Sequence, residues 1–366
     1  MMIKKFTAII AAITLILCFA GCGGSKDAVK TGGKADVPER TITISFAGDC
    51  TLGTDAAFGG GTLPEEVEAQ GKNYSYFLKN VKPIFESDDL TVVNFEGTLT
   101  TRGQRQDKTF AFKGDPEYVK ILTEGSVEAC TLANNHSKDY GTESMEDTKK
   151  YLDGAKIAWF ENLNTKVLDV KGVKVGLIGL YDLDNSAASN LKPAMERVKN
   201  GGAEIVLVQI HWGIEGDNYP DESQVKLAHS IIDAGADLVI GHHPHVLQGI
   251  ERYNGKMIVY SMGNFCFGGN QNPSDKDTMI YRQTFTVGAN GLKDSADYEV
   301  IPCRISSVSY RNNYQPTPAE GSEKTRIQEK IQKFSDGVGK EKVRFSGESH
   351  NASNDAKTEG KSSMIL

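Results

Sequence analysis

The chain has 366 residues, of which 39% are hydrophobic and 24% charged, and its formal net charge is −7. That balance belongs to an ordinary folded protein, and the acidic excess excludes a general nucleic-acid or anionic-membrane binder. Any polyanionic ligand would need a local cation or basic pocket to overcome the repulsion.

Lys4 and Lys5 precede an apolar run from Phe6 to Ala20, which is followed by Gly21 and Cys22. A basic start, a short apolar stretch and small residues before a cleavage point make an export signal, and the run is too short for a comfortable membrane span. The Ala20-Gly21-Cys22 ending resembles the bacterial lipoprotein processing site, where the Cys becomes the lipidated first residue. Residues 1–21 are therefore expected to be a lipoprotein signal peptide. Residues 22–40, rich in Gly, Ser, Lys and Asp, are expected to form a flexible tether to the outward-facing membrane surface. Beyond Cys18 and Cys22 there remain Cys50, Cys130, Cys266 and Cys303. They are far apart and in no CxxC spacing, so both disulfides and scattered buried thiols are open, with buried thiols preferred.

The folded region opens with a β-type run, Thr41 to Ala47, ending in Gly48-Asp49. A helical pattern over Tyr74 to Glu86 follows, with apolar spacing at Tyr74, Phe77, Leu78, Val81 and Phe85. A second strand, Leu90 to Phe95, carries Asn94 and ends in Glu96-Gly97. A helix from Pro116 to Glu124 leads to the strand Val127–Leu132, which ends in Ala133-Asn134-Asn135-His136. Gly141 to Gly154 reads as a helix whose Lys149-Lys150 pair forms a solvated end. Thr165 to Tyr181 reads as two strands joined at Lys171-Gly172, a hairpin, and Leu191 to Asn200 as a helix.

The stretch from Glu204 to Phe265 holds His211, His229, His242, His243 and His245, five of the seven histidines. His211 follows the apolar run Ile205–Ile210, and Gly241-His242-His243-Pro244-His245 follows Asp237–Ile240. Two such runs separated by a helical pattern predict a βαβ unit with parallel strands, and the loops after the carboxyl ends of parallel strands are where such sheets place their sites. His229 falls on the helical pattern and is expected at a helix surface or edge. Trp212 and Tyr219 are read as aromatics covering the core. Beyond Phe265, Thr278–Gly288 and Tyr298–Tyr310 alternate and are expected as antiparallel strands closing a second sheet. Lys324–Phe334 is expected as a terminal helix, and residues 346–366 as a disordered tail. One domain over residues 41–334 is the simplest organisation, because the candidate residues run from Asp49 to Asn264.

Asp49, Glu96, Asn135, His211, His243 and His245 are oxygen or imidazole donors, the mixed set that Mn, Fe or Zn accept. A carboxylate from one strand end can bridge two ions about 3.5–4 Å apart, an arrangement that activates water against phosphate esters. His136, unligated beside such a site, is placed to protonate a leaving group. Asn94, Asn134, His242 and Asn264 are placed to touch substrate or to orient the ligands. Each element has a plainer reading. Gly-Asp pairs are common turns, Asn-Asn-His caps helices, His242 can be a simple strand-end residue, and Asn264 a turn residue. Order and strand-end placement together are more specific than any one of them.

The series Gly48-Asp49 with Leu52-Gly53, Asn94-Phe95-Glu96-Gly97, Ala133-Asn134-Asn135-His136, His211-Trp212-Gly213, Gly241-His242-His243-Pro244-His245 and Gly263-Asn264-Phe265 resembles the motif series of the CapA family, proteins of poly-γ-glutamate capsule synthesis. The likeness covers about Ile42 to Tyr310. That family is related to the calcineurin-like metallophosphoesterases, which implies an α/β fold, an αββα sandwich of two mixed sheets flanked by helices, with a dinuclear metal site at the strand ends. By this resemblance Asp49 and His245 bind the first ion and Glu96 takes the bridging position. Asn135, His211 and His243 bind the second, and His136 is the proton donor. The chain departs from the pattern twice. Thr51 stands where the superfamily has a His two residues after the Asp, and Glu96 stands where the bridging residue is normally Asp. One or two divalent ions are therefore expected, the first with fewer protein ligands.

Two functions follow as expectations. One is a surface-anchored metal-dependent hydrolase acting on a phosphoester or an amide-linked polymer precursor. The other is a non-catalytic assembly or export factor that grips an anionic polyglutamate polymer within a membrane synthase complex. A solute-binding lipoprotein would show two similar lobes, and that repetition is absent from the sequence.

Overall fold

The computed structural model describes residues 38–293 and 297–348. The expected signal peptide, Cys22, nearly all of the tether and residues 349–366 of the expected tail lie outside them.

Two mixed sheets carry the fold. The first runs in the order 317–318, 297–304, 277–288, 40–51, 90–96, 129–131, 158–160, with 264–267 pairing onto the far part of 40–51. Its strands from 40–51 to 158–160 are mutually parallel. The second runs 250–253, 256–259, 238–242, 205–211, 173–181, 166–170, with four parallel strands between two antiparallel edges. Residues 205–211, the helix Glu222–Asp233 and residues 238–242 form the expected βαβ unit.

The apolar runs look continuous because neighbouring residues serve different layers. Ile42, Ile44, Phe46 and Val92 meet Val175, Leu177, Leu207 and Ile240 between the sheets. On the outer face of the first sheet, Val93 and Phe95 pack under Phe77, Phe85, Leu122 and Leu152 from short helices. On the outer face of the second, Val206 and Val208 pack under Leu191, Val198, Ala228 and Ile231. Side chains alternate across a strand with period two, so Val206, Leu207 and Val208 are all buried while facing two different cores. The result is a helix–sheet–sheet–helix sandwich, the αββα architecture.

Several expectations are corrected. The 74–86 segment is two helices, Ser75–Leu78 and Lys82–Phe85, because Pro83 has no N–H to give and is tolerated only in a first turn. The strand Asp277–Gly288 joins the first sheet, antiparallel to 40–51, instead of closing the second. Its partner ends at Arg304, and Tyr310 is exposed in the loop beyond. Arg40 already belongs to the first strand and pairs with Glu204 at 2.6 Å. The domain does not stop at Phe334: Val343 and Phe345 enter the inter-sheet core, and Val300 N donates to Arg344 O at 2.8 Å. Lys149 is not a solvated end; it lies over the Trp159 ring and pairs with Glu161 at 2.9 Å. Tyr219 stays half exposed against Phe334, whereas Trp212 is buried as expected. Cys50, Cys130, Cys266 and Cys303 are buried free thiols.

The helix Gly321–Asp336 closes the core with Ile327, Ile331 and Phe334. It is clamped by Asp277, whose carboxylate accepts from Arg326 at 2.6 and 2.7 Å and from Lys330 at 2.8 Å. Burial alone would raise the Asp277 carboxyl, but these hydrogen bonds outweigh it and hold it below its ordinary value. Arg326 is half exposed, so solvent screens its share. Asp277→Ala is expected to cost about 1–3 kcal/mol at pH 7. A depressed carboxyl contributes in full above its unfolded value near about 4 and loses that contribution as pH falls through the folded value. Urea midpoints of wild type and variant should therefore differ at pH 7 and converge in strong acid; a gap that persists there would contradict the assignment.

Candidate metal centre

The pocket begins with a fault in the first strand. The parallel pairing of 40–51 with 90–96 slips between Ala47 and Asp49, after which Asp49 stands level with Asn94 on one side and Asn264 on the other. Bulges of this kind re-aim a side chain at a sheet rim. Gly48 makes it possible: a Cβ there would sit 2.0 Å from the Gly263 carbonyl oxygen, and Asp49 N donates to that same oxygen at 3.0 Å. In the second sheet His211 and His242 stand level at the carboxyl ends of their strands. The loop that follows is held in an unusual shape, with His243 at φ +98° and His245 at φ +57°. Left-handed backbone at non-glycine residues costs on the order of 1–3 kcal/mol and concentrates at functional sites.

The two sheets meet through these side chains. His242 Nδ1 lies 3.1 Å from Asp49 Oδ1, which also accepts from Asn94 Nδ2 at 2.8 Å. Asn94 Nδ2 is 3.3 Å from Glu96 Oε1, and Thr51 Oγ1 donates to Glu96 Oε2 at 3.2 Å. His245 Nδ1 bonds Asn264 Oδ1 at 2.9 Å and lies 3.1 Å from Asp49 Oδ2. Asn135 Oδ1 reaches His211 Nε2 at 2.9 Å, and His211 Nδ1 faces Glu96 Oε1 at 3.7 Å. The His211 and His243 ring centres are 4.6 Å apart. The six donors named from the sequence thus converge, together with Asn94, His242 and Asn264.

Asn134 does different work. Its amide nitrogen donates to Asn94 Oδ1 and Phe95 O, and its oxygen accepts from His136 N and Ser137 Oγ. It braces the loop between two strand ends. His136 Nδ1 lies 2.7 Å from Asp139 Oδ2, and its ring rests on Phe112 with centres 4.4 Å apart. Lys108 Nζ donates to Asp139 Oδ1 at 2.8 Å and Asn135 O at 2.9 Å. Asp139 follows His136 by one turn, a spacing readable in the sequence. Lys108 and Glu215, which stands beside His243 and His245, arrive on irregular loops and carry no local signal.

The buried carboxylates and imidazoles shift one another's proton affinities strongly. Burial, then the charge of Asp49, pushes the Glu96 carboxyl up to about 8. Burial would also raise Asp49, but His242 and His245 outweigh it and hold that carboxylate well below its usual range. Burial would lower His245, yet Glu96 and Asp49 raise it to about 9. Burial and the His245 charge bring His243 down to about 4, and burial with His243 takes His211 well below the ordinary range. Burial also lowers His136 against the opposing pull of Asp139.

Asp49 Oδ2, His211 Nδ1, His242 Nε2 and His243 Nδ1 are buried without a hydrogen-bond partner. Buried polar atoms are normally satisfied; His245 Nδ1 lies 3.1 Å from Asp49 Oδ2, while the three imidazole nitrogens have no partner, a set that fits a divalent cation. Asp49, Glu96 and His245 each offer one ligand atom, all within 4.8 Å of one another, and Glu215, His243 and His245 do the same. Thr51 adds a hydrogen bond to Glu96 at 3.2 Å.

The fold and site together define a two-sheet αββα protein with carboxylate, carboxamide and imidazole donors gathered at its strand ends. Residues 43–269 match the family described as "Bacterial capsule synthesis protein PGA_cap", and the chain belongs to that family. The Bacillus subtilis "PGA biosynthesis protein CapA" is 34% identical over 64% of this chain and 67% of that protein. The Bacillus anthracis "Capsule biosynthesis protein CapA" is 30% identical over 73% and 68%. A Mycobacterium tuberculosis "Probable polyglutamine synthesis accessory protein" is 27% identical over 60% and 67%. Among solved structures, a hypothetical protein from Thermus thermophilus aligns over 71% of this chain and 99% of its own at 16% identity and a TM-score of 0.42. A 5'-nucleotidase from Candida albicans aligns over 82% and 59% at 11% identity and a TM-score of 0.41.

Proposed function

We propose that the protein is a surface-tethered, divalent-cation-dependent hydrolase serving poly-glutamate capsule synthesis, acting on a phosphoester or an amide-linked polymer precursor. The observation that carries the reading is the set of four buried, unpartnered polar atoms contributed by both sheets to one pocket. Family membership supports the capsule role. In this reading Asp49, Glu96 and His245 hold one ion, and Asn135, His211 and His243 a second. A bound ion supplies Lewis acidity toward an anionic oxygen and lowers the pKa of water. Asn94, His242 and Asn264 orient the ligating groups through the contacts described above. In this reading His136, whose Nδ1 lies 2.7 Å from Asp139 Oδ2, takes a proton and returns it to the leaving group. Lys108 neutralises Asp139, which keeps that carboxylate an acceptor and the ring in one tautomer.

Metal analysis of protein purified without chelator, with Glu96→Gln and His243→Ala assayed on a chromogenic phosphodiester, tests this. Each variant is expected to lose on the order of a hundredfold in activity or metal affinity. Absence of bound metal together with unchanged activity in both variants would sink the reading.

The Thr51 hydroxyl favours a second reading, a polymer-gripping factor without catalysis, because it leaves the first ion one ligand short. If a Glu96→Gln, His243→Ala double variant restores surface polymer to a deletion strain, this reading holds and the hydrolase reading does not apply in the cell. In either reading the protein is held to the membrane by lipid on Cys22, beside a polyglutamate synthase. Cys22→Ser should move it out of the membrane fraction; retention there would overturn the anchor.

A further inference from the structure

We propose that Glu215 is a metal ligand that closes a cation position at the pocket mouth with His243 and His245. This rests on the cation reading above and names a donor that reading does not contain. One ligand atom from each of the three residues lies within 4.8 Å of the other two. Donors sharing an ion at about 2.1 Å stand no more than about 4.2 Å apart. A contraction of a few tenths of an ångström is therefore required, and the exposed Glu215 side chain is free to make it.

Two further features place Glu215 there. His243 is 5% exposed, yet its Nδ1 has no hydrogen-bond partner, so a nearly buried imidazole holds an uncompensated polar atom beside this position. The loop bearing Glu215 is also fastened to the histidine loop. Trp212 N donates to His242 O at 3.1 Å, and Gly216 N donates to Pro244 O, between the two histidines, at 2.8 Å. Gly213 makes the necessary turn at φ +76°, where a Cβ would stand 2.6 Å from the Gln224 amide. The position has two nitrogens and one carboxylate, a set that Mn or Zn accepts.

Titration of the full chain with Mn2+ by calorimetry tests the assignment. Glu215→Gln is expected to weaken Mn2+ binding by at least about tenfold. The melting temperature in EDTA should stay that of wild type, because the side chain is exposed. Glu222→Gln, another exposed acid on the helix that follows, should bind Mn2+ as wild type does. If wild type binds Mn2+, Asp49→Asn loses it and Glu215→Gln keeps wild-type affinity, the Glu215 assignment is overturned while the cation reading survives. If wild type binds no Mn2+ at millimolar concentration, both fall.

Discussion

An Asp49→Asn variant is expected to lose divalent-cation affinity by more than about a hundredfold, a larger loss than the removal of an orienting partner produces. Asp49 joins strand ends of both sheets, with Asn94 on one oxygen, His242 on the same oxygen, and His245 beside the other. A carboxamide can keep one carbonyl oxygen toward Asn94 and His242. Its NH2 group must then take the place of Oδ2, the buried oxygen that faces His245 Nδ1 at 3.1 Å. An acceptor atom becomes a donor, and the negative charge facing the His245 ring is gone. Calorimetric titration with Mn2+ reads the change. Retention of wild-type affinity would mean that Asp49 is a structural acid and that the pocket holds no ion against it.

Phe46→Ala is expected to destabilise the domain by about 3–5 kcal/mol, the range for emptying a large aromatic from a packed core. Phe46 is fully buried in the layer between the sheets, level with Val92 and Tyr281 on the neighbouring strands. No solvent-facing layer lies on either side of it, so the cavity cannot fill by local relaxation. For a domain of this size the melting temperature should fall on the order of 10 °C. Urea or thermal unfolding checks it, and a loss under about 1 kcal/mol would mean that the two sheets do not share one core. The position is also three residues upstream of Asp49, so the same variant tests how far the pocket depends on the strand beneath it.

Much of the fold was legible because its code is local. Strand runs such as Leu90–Phe95 and Ile205–Ile210 are buried on both faces, and their β-branched composition announces them without reference to the rest of the chain. The polar residues that end them, Asp49, Glu96, Asn135, His211 and the 242–245 histidines, follow from strand position alone, since parallel strands present their carboxyl ends on one side. Strand-end patterning therefore located the candidate donors, while the two-sheet layering was implied by the family resemblance. Other features depended on contacts between distant segments. The pairing of 277–288 with the first sheet, the entry of Phe345 into the core and the burial of Lys149 over Trp159 are long-range choices with no periodic signature. Tertiary structure also decided which imidazole meets which carboxamide, the left-handed backbone at His243 and His245, and the arrival of Lys108 and Glu215 on loops. Loop conformation is set by what the loop packs against, whereas strand patterning is set by the alternation of the backbone itself.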